Sequence, residues 1–273
     1  MKTHRQSDVT LNDGATMPQL GLGVWRTPAG DAASVVSEAV RAGYRAVDTA
    51  SAYNNEEGVG EALAGHDIFL TTKLWNADQG FDETLRAFDA SAKRLRREAV
   101  DLYLIHWPAP KKGLFVKTWK ALVRLREDGR AKSIGVSNFN EEHLKRIIDE
   151  TGVTPAVNQI ELHPRFQQRE LRAVHERLGI HTESWSPLGQ GQILRNSTLV
   201  EIAAKHGISP AQVIVRWHLD SGLIVIPKTV NPERLRENID VFGFKLDAAD
   251  IERIAGLDSA DGRIGPDPMT AAF

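Results

Sequence analysis

The chain is predicted to be an α/β protein, a (β/α)8 TIM barrel with an N-terminal β-hairpin capping the bottom. Short β-branched or apolar runs alternate with stretches of helical period about every 25 to 40 residues. Eight such runs can be counted, and the 273-residue length suits a barrel, which needs about 250 residues. No G-x-G-x-x-G turn follows the first run, as a doubly wound nucleotide-binding sheet would more often show.

The elements follow in order. VTLNDGATMP (9–18) places Asp-Gly between alternating segments, a hairpin signal, and this hairpin is expected to close the N-terminal face of the barrel. Strands are predicted at GLGVW (21–25), AVDTA (46–50), IFLTTK (68–73), VDLYLIHW (100–107), SIGVS (133–137), AVNQIEL (156–162), HTESWS (181–186) and LIVIPK (223–228). Between them, AASVVSEAVRAG (32–43), DETLRAFDASAKRLRR (82–97), VKTWKALVRLREDG (116–129) and NEEHLKRIIDETG (140–152) repeat apolar residues at i, i+3 and i+4, with Gly where a C-cap belongs. After the eighth strand, NPERLRENIDVF (231–242) offers Asn231 as N-cap and Pro232 as first helical residue. No linker, charge block or low-complexity segment interrupts residues 1–273, so one domain is expected.

Composition removes several classes of function. A formal net charge of −2 creates no field to draw nucleic acid or an anionic membrane. Without cysteine there are no disulfides, thiolate nucleophiles or cysteine-bound zinc, and redox chemistry would have to come from a bound cofactor. No metal site is expected. The opening MKTHRQSDV has no apolar signal region, and no apolar stretch approaches the ~20 residues of a membrane span, so a cytoplasmic location is expected.

Active sites of such barrels form at the C-terminal ends of the strands, so the last polar residue of each strand is informative. Strand two ends at Asp48, three at Lys73, four at His106, five at Ser137 and Asn138, six at Gln159, seven at Trp185, and eight at Lys228 and Thr229; Tyr53 lies in the loop after strand two. Each has a purely structural alternative: Asp48 a turn cap, Lys73 its ion-pair partner, His106 a core histidine, Tyr53 an edge aromatic. Together they suit proton donation to a carbonyl. A phenol is a slow acid near its ordinary pKa, a neighbouring ammonium such as Lys73 stabilises its phenolate, and Asp48 keeps that ammonium charged. His106 would orient the carbonyl oxygen. A lyase or aldolase forming a Schiff base on Lys73 is a second reading. A non-catalytic cofactor-binding sensor of the same fold is a third.

Asp48, Tyr53, Lys73 and His106, in DTASAYNNEEGVG, LTTKLWN and DLYLIHWP, resemble the catalytic tetrad of the aldo-keto reductases. The likeness covers nearly the whole chain, including LNDGATMPQLGLGVW, SIGVSNF, PAVNQIELHP, SWSPLGQG and IPKTVNPERLRENIDVF. In QIELHPRFQQRE, ESWSPLGQG and GLIVIPKTV it is most similar to the short bacterial 2,5-diketo-D-gluconic acid reductases. The resemblance implies hydride transfer from a reduced nicotinamide to an aldehyde or ketone, with Tyr53 as general acid. Keto-sugar acids such as 2,5-diketo-D-gluconate are among the implied substrates, and a monomer is the implied state.

By the same resemblance, Ser137, Asn138 and Gln159 would hold the nicotinamide carboxamide and Trp185 would stack on its ring, with Gly23, Val24 and Trp25 alongside. Ser186, Leu188 and Gly189 would wrap the pyrophosphate, and Lys228, Thr229 and Val230 the adenosine ribose, with Glu237 and Asn238 at the adenine edge. Lys228 and Arg234 flank a helix N-terminus whose free N–H groups would attract a 2′-phosphate, which favours NADPH over NADH. Relatives often carry a basic residue at the position of Asn231, so a weaker NADPH preference is expected here. The connection before strand three is short, which should trim a helix at the N-terminal face. The tail SADGRIGPDPMTAAF is brief, so a more open pocket is expected, walled by Trp25, Trp75 and Trp107, with Arg263 in reach of a substrate carboxylate.

Overall fold

The structure, a computed structural model, describes residues 6–271. The MKTHR start of the segment read for a signal, and the last two residues of the tail, lie outside the described residues.

Eight parallel strands form one sheet in chain order: β3 (Leu22–Gly23), β4 (Ala46–Asp48), β5 (Phe69–Leu74), β6 (Val100–Ile105), β7 (Ala131–Ser137), β8 (Val157–Glu161), β9 (His181–Trp185) and β10 (Ile224–Val225). The two edges meet. Gly21 and Gly23 donate their N–H groups to the carbonyls of Val225 and Pro227 at 3.0 and 3.2 Å, and Val225 donates to Gln19 at 2.9 Å. A Cβ at Gly23 would stand 2.8 Å from the Ile226 carbonyl oxygen, so this seam admits only glycine. The sheet is therefore a closed barrel. β10 is shorter than the predicted 223–228 because Pro227 has no N–H to continue a ladder.

The expected helices are α1 (Ala29–Ala42), α3 (Phe81–Leu95), α4 (Phe115–Glu127), α5 (Glu141–Thr151) and α9 (Pro232–Ile239). The short helix expected before strand three is α2 (Glu56–Ala62), and the chain adds α6 (Arg169–Leu178), α7 (Ser197–His206), α8 (Pro210–Asp220) and α10 (Ala248–Ala255). Among the described residues no helix is long and apolar enough to cross a membrane.

The predicted hairpin is β1 (Asp8–Thr10) paired antiparallel with β2 (Thr16–Pro18). Its turn is tied to the starts of two strands: Asn12 donates to the Pro155 carbonyl at 2.9 Å, and the His181 ring nitrogen lies 2.9 Å from the Thr10 carbonyl. Leu11 and Met17 pack with Leu102, Leu104, Val157 and Ile224, which plugs the bottom of the barrel.

Register explains why polar residues end up inside. Side chains alternate faces along a strand, and Leu102 and Leu104 meet the hairpin plug while Tyr103 stacks outward on Phe88 at 4.9 Å. Lys73 pairs with Leu104, and Leu104 with Gly135, so Lys73 shares the inner face. Ser137 pairs with Gln159, Gln159 with Glu183, and Glu183 with Ile224, which carries one inward layer around half the barrel.

Candidate active site

The stretch after β4 is fixed by hydrogen bonds that its own sequence supplies. Thr49 donates to Asn55 at 2.7 Å, and the Asn55 amide donates to the carbonyls of Val24 and Thr27 at 3.0 and 3.2 Å. Ser51 donates to the Lys73 carbonyl at 3.0 Å, opening a single 3-10 turn (Ser51–Tyr53) that ends with Asn54 in the left-handed region. Asparagine tolerates that conformation, and the turn delivers Tyr53 to the mouth.

There the four predicted residues come together. The Lys73 ammonium, wholly buried, lies 2.5 Å from Asp48 Oδ1, donates to the Thr49 carbonyl at 2.9 Å and reaches Tyr53 Oη at 3.5 Å. Burial opposes the charge on Lys73, yet the attraction of Asp48 leaves the ammonium pKa above its ordinary value. Asp48 is itself pushed up by burial, against Lys73 and the Gln159 amide. For Tyr53 the expected direction is reversed: burial raises the phenol pKa and outweighs the pull of Lys73. The phenol therefore stays protonated at neutral pH, the form a proton donor requires.

His106 meets the rings of Tyr53 and Trp75 edge to face at 5.5 and 5.2 Å. Burial first, then Lys73, holds its pKa well below the usual histidine range, so the imidazole is neutral. It can donate one N–H and cannot add a second positive charge beside Lys73.

These groups open into a cleft of about 1450 Å³. Gly23, Trp25, Trp75, Trp107, Ser137, Asn138, Gln159, Trp185, Ser186 and Lys228 line it, as do Asp48, Tyr53 and His106. Asn138 donates to the His106 carbonyl at 3.0 Å and accepts from Trp185 Nε1 at 2.9 Å, which fixes the indole at the end of β9. Val24 is fully buried, and Leu188, Gly189, Thr229, Val230, Arg234, Glu237 and Asn238 are not among the lining residues. Thr229 accepts from the Asn231 N–H at 3.1 Å, and Glu237 accepts the Ser209 hydroxyl at the start of α8.

Several features depart from expectation. The N–H groups of Glu233 and Arg234 are not free, because Asn231 Oδ1 accepts both at 2.8 and 3.1 Å and Pro232 has none to offer. Attraction for a phosphate at this end is left to side chains. Asn231→Ala is expected to cost about 1 kcal/mol of stability, read by urea unfolding; no change would mean the cap carries no load. The brief tail does reach the mouth. Ile264 and Gly265 donate their N–H groups to the two oxygens of Glu161 at 2.6 and 2.8 Å, and a Cβ at Gly265 would stand 2.4 Å from the Trp185 ring. Arg263 instead stacks over Phe166 at 4.6 Å, outside the cleft. The sequence reading also missed Arg26, which lines the cleft, stacks on Trp25 at 4.2 Å and depresses the Lys228 pKa after the effect of burial.

Fold and site together define a (β/α)8-barrel protein with a carboxylate, an ammonium, a phenol and an imidazole gathered at the C-terminal mouth. Residues 17–259 match the model of the aldo/keto reductase family, and the chain belongs to that family. It is 57% identical over 270 residues to an aldo-keto reductase of Mycolicibacterium smegmatis, covering 97% of this chain and 98% of that protein. It is 49% identical over 267 residues to the methylglyoxal reductase DkgA of Escherichia coli, covering 95% and 96%. Among solved structures, the apo form of Gox0644 superposes with a TM-score of 0.98 at 62% identity, covering 98% of this chain and 100% of that one. A mutant of Gox0644 in complex with NADPH superposes at 0.97 with 61% identity and the same coverage.

Proposed function

We propose that the protein, as a monomer, reduces aldehydes or ketones to alcohols with NADPH, and that its substrates are small carbonyl compounds or keto-sugar acids such as 2,5-diketo-D-gluconate. The observation that carries this reading is Tyr53, protonated and 3.5 Å from a Lys73 ammonium that Asp48 keeps charged, facing a cleft beside a neutral His106.

The residues present fit a nicotinamide dinucleotide phosphate. Half-buried Trp185 and the buried polar groups of Ser137, Asn138 and Gln159 line the cleft together. Arg26 and Lys228 line it as well, and neither is in an ion pair among the described residues. Ser186 stands on the segment that would wrap the pyrophosphate, and Thr229, Val230, Arg234, Glu237 and Asn238 on the segments that would enclose the adenosine half. The NADPH bound to a structural neighbour supports the same choice.

When bound, the reduced nicotinamide supplies the hydride that bonds to the carbonyl carbon. The protein's task is the other half of the addition. His106 donates an N–H to the carbonyl oxygen and holds it toward Tyr53. As the carbonyl π electrons move onto oxygen, that oxygen takes the phenolic proton of Tyr53 and the O–H bond of the alcohol forms. Lys73 stabilises the phenolate left behind, Asp48 holds Lys73 in its charged form, and solvent returns the proton to Tyr53. Trp25, Trp75 and Trp107 supply apolar walls.

The Schiff-base reading of Lys73 is disfavoured, because that chemistry needs a neutral amine and Asp48 raises the pKa of this one. A non-catalytic sensor would bind NADPH without turnover. Initial rates over a panel of aldehydes, ketones, α-dicarbonyls and keto-sugar acids, with NADPH and with NADH, separate the readings. Turnover with a kcat/KM favouring NADPH by about tenfold is expected, the worth of one charge-assisted contact to the 2′-phosphate. No turnover on any carbonyl supports the sensor, and an NADH preference removes the 2′-phosphate assignment.

A further inference from the structure

Beneath the proton-transfer groups lies a second carboxyl that the mechanism above does not use. Glu183, fully buried in the middle of β9, points into the barrel at the level of Gln159. Gln159 uses both hydrogens of its one amide nitrogen on acids: it donates to Asp48 Oδ2 at 2.8 Å and to Glu183 Oε2 at 2.8 Å. Asp48 in turn holds Lys73, and Lys73 reaches Tyr53. A continuous chain of side chains therefore runs from Glu183 to the phenol, across four strands and through the residue assigned to the carboxamide.

Charge and hydrogen bonds decide the state of that carboxyl. Among the described residues the interior layer holds one cation, Lys73, and it contacts Asp48 rather than Glu183. Glu183 Oε1 is buried with no hydrogen-bond partner among the described residues. A buried carboxylate with a bare oxygen and no cation in contact is costly, and a carboxylic acid at that place, even with its O–H unpaired, costs much less. The groups facing Glu183 are Asp48 from β4, Lys73 from β5 and Gln159 from β8; Ile224 and Val225 of β10 bring no charge, and His175 of α6 turns to Thr182 on the other face.

We propose that Glu183 is a positioning residue for proton transfer: its carboxyl, carrying a proton in the working enzyme, fixes Gln159 and through it Asp48, and leaves a single carboxylate opposite Lys73. Burial and the repulsion of Asp48 push the Glu183 pKa up to about 8, consistent with this assignment. Ionisation of Glu183 places a second negative charge against Asp48 and raises the pKa of Tyr53, which faces Lys73, Asp48, His106 and Glu183. Glu183 thus governs how readily the phenol gives up its proton under alkaline conditions. The kinetic part of this inference rests on Tyr53 being the acid.

The test compares wild type with E183Q, which keeps an acceptor for Gln159 but cannot ionise, and E183A, which removes it. In the ligand-free protein, the infrared spectrum of wild type at neutral pH should show a protonated-carboxyl band that fades as pH rises through about 8 and is absent from E183Q. The tyrosinate absorbance lost on Tyr53→Phe should rise about one pH unit lower in E183Q than in wild type. Stability gives a third readout. A carboxyl raised from its ordinary 4.5 to about 8 contributes stability that is complete below 4.5 and lost as pH rises through about 8, so the wild-type Tm should fall over that window and that of E183Q should fall less. In turnover, E183Q should keep kcat at neutral pH within about threefold, while its pH profile for alcohol oxidation moves to lower pH by the same unit. E183A should lose NADPH affinity that E183Q retains. If E183A does not fold, E183Q carries the test alone. No carboxyl band, or superposable tyrosinate and Tm curves, overturns the proposal even if the protein is a reductase; turnover surviving Tyr53→Phe overturns the acid assignment and leaves the infrared and Tm results to stand by themselves.

Discussion

Tyr53→Phe is expected to lower kcat for the reduction of a reactive aldehyde by about two to four orders of magnitude, the usual worth of a positioned general acid. The substitution removes one oxygen. That atom makes the hydrogen bond to Lys73, while the ring still lies 5.1 Å from the Lys73 ammonium and meets His106 edge to face at 5.5 Å. Cofactor affinity should therefore hold within about twofold, since Tyr53 is not among the groups assigned to the nicotinamide, which lie on β3 and β7 to β9 and the loops after them. The measurement is a pair: fluorescence titration with NADPH and initial rates under saturating NADPH. Loss of kcat at unchanged affinity marks an interaction made in the transition state alone. Turnover that survives the change shows that some other group delivers the proton. A parallel loss of NADPH affinity shows that the phenol positions the cofactor.

Much of this site is legible in the sequence because a barrel strand has two simple regularities. Side chains alternate, and the functional end is the C-terminal one. Asp48, Lys73, His106, Ser137 and Trp185 stand at or beside the end of a strand, and the structure brings all of them to one mouth. Gln159 and Glu183 obey the same alternation but face each other in the middle of β8 and β9, where a polar residue gives no sign of what it will face. The meaning of Glu183 appears only when Gln159, twenty-four residues away, reaches both it and Asp48.

Long-range and competitive contacts account for the other differences. The clasp of Glu161 on Gly265 joins residues 104 apart and turns a brief tail into part of the wall, which no local pattern announces. At α9 the sequence shows both a capping residue and a pair of cations that would draw a phosphate, but not whether the first amides go to the cap or to the anion; Asn231 takes those of Glu233 and Arg234, because its side chain is already in reach. The sign of the Tyr53 shift also depended on magnitudes. A neighbouring ammonium lowers a phenol pKa, but burial acts on the whole group and wins. Helices α6, α7, α8 and α10 fall outside the elements expected from the sequence; length is not the reason, since α8 is as long as α5 and α10 as long as α9.

Lys73→Met should be the most damaging single change for stability as well as for activity. Methionine fills nearly the same space, so the loss is chiefly one of charge. Asp48 would keep the Gln159 amide but lose its only cation while remaining 3% exposed, and breaking a buried pair from one side costs about 3–5 kcal/mol. Activity should fall with it, because the phenolate formed at Tyr53 would have no neighbouring positive charge. The deficit should depend on pH in a definite direction. Without Lys73, burial raises the Asp48 pKa further above its ordinary value, so in the folded variant the carboxyl takes up a proton more readily than in the unfolded chain. Stability from such a group is complete below its unfolded pKa and lost as pH rises through the folded one. The variant should thus approach wild type in acid and fall away from it toward neutral and alkaline pH. Adding Asp48→Asn should restore much of the lost stability without restoring turnover, since the double variant buries no unpaired charge but still lacks the ammonium. Urea unfolding of wild type, each single variant and the double variant across that pH range decides the matter. A deficit that does not change with pH, or one that the second substitution deepens, would mean that Lys73 stabilises the barrel by packing and that the ion pair is not what holds this layer together.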